Sequence, residues 1–281
     1  MSPRRVPRRH PVHHADPGVP GRSRGRAALD RHQGTAFVLL ALAISWVVLP
    51  VSDGGLLPHG PMLAALLVLA GVSGRRGVGR LWAQMTRWRV GRRWYLVAVG
   101  VFLAVHGAAL AVGAAAGVRM ADLGTAFSVG TLLGIWVPLV FLGGQWEEPG
   151  WLGYLLGRLR ALGIGSALLV LLMAGVVRMV WHTPLLLLGT IPWYDYVFGS
   201  LALQVILTWL YDRTGGSVPV PMLGHLFSNL TMATVISLVA EPDRGLYWLV
   251  LVLVELAVAV GILLAARGRL VQPRTTEAPG H

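Results

Sequence analysis

Cysteine is absent from the 281 residues, which excludes disulfides, thiolate zinc sites and cysteine-protease chemistry at once. Lysine is absent too, so all 24 basic residues are arginine; this is read as genomic base composition rather than mechanism. Charged residues make up only 13% against 55% hydrophobic, a balance that excludes an ordinary soluble domain of this size. No long polar domain interrupts the apolar segments, and no internal repeat of the kind that marks many secondary transporters is present. What remains is a polytopic membrane protein working with carboxylate, imidazole and hydroxyl chemistry.

The formal net charge of +12 invites a nucleic-acid reading, but its distribution argues otherwise. Eight arginines precede residue 32 and seven more lie from Arg75 to Arg93, as short cytoplasmic loops collect them. The partners this implies are the bilayer and its anionic lipid, with no nucleic acid. Residues 1–34 combine Arg, Pro, Gly and His with few large apolar side chains and are expected to form a disordered cytoplasmic tail. His10, His13 and His14 within it are a weak metal signal. The first apolar segment starts too late and runs too long for a cleavable signal peptide.

Apolar segments then recur near 36–52, 59–73, 94–117, 124–145, 163–189, 196–211, 218–240 and 245–266. The expected fold is all-α: a polytopic membrane bundle of about eight transmembrane helices within residues 35–266, with both termini cytoplasmic. The second and sixth segments fall short of the roughly 20 residues a full crossing needs. The connection 74–93 alternates arginines with Leu81, Trp82, Met85 and Trp88, the pattern of an amphipathic helix lying in the interface. With eight spans, every arginine outside them except Arg119 and Arg244 falls on one side, and Arg178 lies inside one. Residues 267–281 form a short cytoplasmic tail.

Three clusters place polar groups in or beside this apolar background. Ionisable groups at bilayer depth are rare and face a bundle interior or a wet cavity. Glu147-Glu148-Pro149-Gly150-Trp151 puts two adjacent carboxylates where they repel, the kind of tuning general acid or base chemistry requires; the plainer alternative is a pair of glutamates marking the membrane edge. His182, between Trp181 and Pro184, follows Arg178 by one helical turn, so the two share a face. A lone His can serve packing alone, but Arg178 cannot shed its proton and must find a partner, for which Glu148 is the natural candidate. His225 and Asn229 repeat the i, i+4 spacing, as catalytic groups or as interhelical glue. His106 and Glu255 are solitary and weaker candidates. The turn Thr214-Gly215-Gly216-Ser217 carries good turn chemistry but no P-loop lysine.

At these residues the sequence resembles the CPBP family of CAAX prenyl proteases and Abi-type bacteriocin-processing or immunity membrane proteins. The glutamate pair with Trp151 and Gly153 looks like its first motif, His182 in its Trp-His-x-Pro setting like the second, and His225 with Asn229 like the third. The likeness spans roughly 124–240. Two positions depart from the motifs: Leu152 stands where the family carries Arg, and Arg178 where it carries an aromatic. Arg178 is therefore expected to restore, from another helix, the cation missing at Leu152.

The resemblance implies an intramembrane endopeptidase of the cell (plasma) membrane, multi-pass and bacterial, acting on a membrane-anchored or membrane-embedded peptide or protein. It implies Glu147 with His182 activating water, and His225 with Asn229 receiving the oxyanion; Glu148 completes the site, with Arg178 and Trp181 in support. No cofactor is favoured, and the alternative is zinc held by Glu147, His182 and His225. Two other readings stay open: a non-catalytic scaffold or immunity-type protein on the same fold, and a transporter with a polar cavity.

Overall fold

A computed structural model describes residues 24–52, 54–121 and 128–266. His10, His13, His14, the start of the fourth apolar segment and the C-terminal tail lie outside the described residues. Apart from an isolated bridge between Met120 and Val239, the regular structure among the described residues is helical.

Over the described residues each of the eight apolar segments is mainly helical, with edges set by local chemistry. α1 (Arg24–Trp46) begins in the stretch expected to lack order up to residue 34, because Ala27, Ala28 and Leu29 are good helix formers; its backbone leaves helical geometry at His32. α2 (Gly60–Met85) joins the second apolar segment to the basic connection through Gly74, whose φ of 58° and ψ of −149° suit only glycine. Beyond that break, Leu81 is buried while Trp82 and Trp88 are exposed, as on an amphipathic surface. α3 (Arg93–Ala115) and α4 (Val129–Leu142) follow, then a short irregular helical run, α5 (144–160). The fifth segment is divided by His182 into α6 (Ala167–Trp181) and α7 (Thr183–Leu187). α8 (Ser200–Arg213) is entered through a π turn at Asp195–Gly199, and α9 (Pro219–Leu238) and α10 (Arg244–Ala266) complete the bundle.

The molecule is an all-α membrane helix bundle. Five helices are long and apolar enough to cross a bilayer: His32–Val51, Gly60–Met85, Arg93–Ala115, Val129–Arg160 and Glu241–Ala266; Ala167–Trp181 is apolar but shorter. α9 is not among the five, since His225, Ser228, Asn229, Thr231 and Thr234 dilute its hydropathy. The burial pattern is that of a membrane domain. Large apolar side chains such as Leu103, Leu133, Phe141 and Leu253 face outward, while His106, Glu147, Glu148, Arg178, Gln204 and His225 are buried.

Small residues set the close approaches. A Cβ at Gly150 would meet the backbone of Pro61 at 2.5 Å, and one at Gly175 would meet Leu201 at 2.6 Å. These contacts seat α5 against α2 and α6 against α8, as small residues do between membrane helices. The turn at 214–217 is tied to the basic connection: Ser217 Oγ donates to Arg87 O at 2.7 Å, and Val218 N to Gln84 O at 3.1 Å.

Candidate active site

The site begins with a broken helix. α4 stops at Leu142, Gly143 is extended, and a 3-10 turn (Gly144–Glu147) leads into the glutamates. Breaking a helix inside lipid strands carbonyls that water cannot reach, so side chains must take over. Gln145 Nε2 donates to Leu139 O (2.8 Å) and Val140 O (2.7 Å), and Trp146 Nε1 to Val140 O at 3.1 Å. Pro149 sits in the first turn after the break, where its missing N–H costs nothing. A π turn at Trp151–Leu156 then rotates the chain, and turns of this kind are frequent at functional sites.

Four ionisable groups meet behind this break. Arg178, fully buried on α6, donates Nη1 and Nη2 to the two oxygens of Glu148, each at 2.9 Å. Its Nη1 also reaches Glu147 Oε2 at 3.4 Å, and its Nε donates to Gln204 Oε1 at 3.0 Å. The two-pronged fork matches carboxylate geometry in a way lysine could not. Leu152, where the motif carries Arg, is packed into the apolar core, so the cation beside Glu148 comes from α6. Trp151 Nε1 donates to Glu147 Oε2 at 2.9 Å, and the guanidinium lies 5.8 Å from the Trp151 ring centre.

His225 closes the group from α9, with its Nδ1 2.7 Å from Glu148 Oε1. Because Arg178 holds Glu148 as a carboxylate, Nδ1–H is the donor, and Nε2 is left on the other edge of the ring. That edge faces Gly144: a Cβ there would collide with His225 Nε2 and lie 3.0 Å from Glu147 Oε1. Glycine at 144 is thus what lets Glu147 and His225 share one space. Two carboxylates against one guanidinium leave a formal excess of one negative charge beside the His225 ring.

The resemblance implies Glu147 acting with His182; among the described residues the imidazole whose donor atom lies within 4.8 Å of Glu147 is His225. The reason is local. His182 lies at the junction of α6 and α7, and its Nδ1–H donates to Arg178 O at 3.0 Å; a carbonyl can only accept, so Nε2 of the neutral ring is an acceptor. Trp181 packs edge-on against His182 (4.7 Å between ring centres) and Trp151 (6.2 Å), while its carbonyl accepts from Trp46 Nε1 at 3.0 Å.

His182, His225 and Asn229 line a cavity of about 180 Å³, and the weaker candidates His106 and Glu255 reach the same wall. Glu147 does not line it; His225 stands between the two. Among the described residues, the His, Asp and Glu side chains that bring three donor atoms within 4.8 Å of one another are Glu147, Glu148 and His225; His182 is not among them.

Two contributors were not singled out from sequence. Gln204, which holds Arg178 Nε and donates to Thr208 Oγ1 at 3.0 Å, was signalled by two polar residues one turn apart in an apolar segment. Gly144 carried no signal of its own, since its role depends on the approach of α9.

No curated protein and no solved structure matches the chain. Residues 128–231, which hold every group of the site, match the family model described as Type II CAAX prenyl endopeptidase Rce1-like; this is the family the three motifs resemble, and the match supports an intramembrane endopeptidase of the CAAX type.

Proposed function

We propose that the protein hydrolyses a peptide bond of a membrane-associated substrate with water activated by the Glu147/His225 pair. The observation that carries this reading is the convergence of Glu147, Glu148, Arg178 and His225 beside a cavity lined by His182 and Asn229. Glu147 and His225, sharing one proton site, take a proton from the attacking water as its oxygen bonds to the scissile carbonyl carbon. They return it to the departing amine as the C–N bond breaks. His182, through Nε2, accepts from the water or the substrate amide and orients it. The Asn229 amide donates to the developing oxyanion, a contribution of about 2.7–4 kcal/mol per donor in well-studied sites. Arg178 and Glu148 act at one remove: they fix the imidazole of His225 and set the charge around it.

We read the site as metal-free. The Arg178 guanidinium already lies against both glutamates, and a divalent ion among Glu147, Glu148 and His225 would have to compete with it for the same oxygens at close range.

The test is cleavage of membrane-anchored peptides by purified protein in lipid vesicles, with and without 1,10-phenanthroline and EDTA. Product formation is expected to be the same in both. Loss on chelation, restored by zinc, would replace the metal-free reading with a metalloprotease. Absence of cleavage in every condition would favour a non-catalytic protein, for which Leu152 in the motif position is the specific observation.

A further inference from the structure

The cavity has acidic lining groups that the proposed chemistry leaves unused. Asp195 from the π turn and Glu255 from α10 line it as well. Glu255 is 7% exposed and makes no hydrogen bond to protein among the described residues. Gly199 leaves the space that Asp195 occupies, since a Cβ there would collide with its Oδ1. Trp248 lines the same cavity, and its indole N–H reaches Asp195.

Among the described residues neither acid forms an ion pair with an arginine. No arginine lines the cavity, and Arg178 is taken by the glutamates behind His225. His106 meets the Tyr247 hydroxyl through Nδ1 at 2.9 Å, and its Nε2 makes no hydrogen bond among the described residues. A metal ion fits poorly, because among the described residues only Glu147, Glu148 and His225 bring three donor atoms within 4.8 Å of one another, and an ion needs several close ligands. An organic cation has the longer reach required. Leu203, Met232 and Leu251 supply apolar lining for an aliphatic stem, with the Trp248 indole beside Asp195.

We propose that Asp195 and Glu255, with Trp248, form a subsite that takes a basic side chain of the substrate, arginine or lysine, beside the peptide bond to be cleaved. This deepens the hydrolase reading and rests on it, because the same cavity holds His182, His225 and Asn229. A substrate bound for chemistry at those residues places a neighbouring side chain against the acidic groups. A buried carboxylate without a cation takes up a proton, so a basic side chain is favoured by the ion pair it forms on displacing that proton, and a substrate lacking one goes unrewarded.

Two measurements on the full chain test this. In vesicles, membrane-anchored peptides carrying Arg, Lys or norleucine are scanned through each position flanking the cleaved bond. At one position Arg or Lys is expected to exceed norleucine by about 10²-fold in kcat/KM, and the D195N and E255Q variants are each expected to lower that ratio by about tenfold or more. Independently of turnover, n-butylguanidinium is expected to raise the unfolding temperature of the wild-type chain, with n-butylurea giving no rise and D195N or E255Q abolishing it. Cleavage with no basic preference at any position, or a preference that both substitutions leave intact, overturns the subsite while the hydrolase stands. A guanidinium-specific thermal shift without cleavage of any peptide supports the cation site and removes the hydrolase.

Discussion

Arg178→Leu is expected to destabilise the protein by about 3–5 kcal/mol and to bring peptide cleavage below detection. The guanidinium is fully buried and holds both oxygens of Glu148. Its removal leaves that carboxylate in a low-dielectric interior with His225 as its main partner, and Gln204 loses the donor to its Oε1. The double substitution Glu148→Leu with Arg178→Leu separates two effects that the single variant mixes. Replacing a whole buried ion pair by apolar residues is often neutral, and at times stabilising by about 1–4 kcal/mol. The double variant is therefore expected to recover most of the lost stability, read as the unfolding temperature in nanodiscs, while remaining inactive because His225 Nδ1 has lost its acceptor. Wild-type cleavage by the R178L variant, or activity regained in the double variant, would show that the cation is not part of the machinery.

The second large effect concerns His225. His225→Asn is expected to lower kcat/KM by about 10²–10⁴-fold, the usual worth of a positioned acid–base group. Adding Glu147→Gln to it is expected to cost less than about tenfold more, because residues that act as one unit are strongly non-additive. Asn229→Ala, which removes one oxyanion donor, should multiply with either loss. If the His225 and Glu147 losses instead multiply fully, the two groups work separately and the shared-proton arrangement around Gly144 is wrong.

Much of this site was legible in the amino-acid sequence, for identifiable reasons. Charge at bilayer depth is so costly that Glu147, Glu148 and Arg178 stood out singly, and a guanidinium that cannot lose its proton needed a carboxylate. The Arg178–Glu148 pair follows from that physics without knowledge of the fold. The i, i+4 spacing likewise put His225 and Asn229 on one face of α9, and both line the cavity.

What the residues could not disclose was which imidazole meets which acid. That choice depends on the break at Gly143, the missing side chain at Gly144 and the rotation imposed by the π turn at Trp151–Leu156. All three are properties of backbone geometry that periodicity does not encode. Helix edges were similarly exposed to context: residues 24–30 join α1 although their composition pointed to disorder, and the apolar segment through His182 is divided where the chain turns into α7. Asp195 drew no notice because a single acid between two apolar segments reads as an ordinary loop residue until the fold brings Glu255 to the same cavity.

The measurement that bears most directly on the central claim compares membrane proteins and peptides from cells expressing the wild-type chain or the E147Q chain at equal levels, with every terminus read by mass spectrometry. The expected result is at least one new terminus, in a membrane-associated polypeptide, that is present with the wild type and missing with E147Q. Identical termini in both, with the wild-type chain folded and in the membrane, would contradict it.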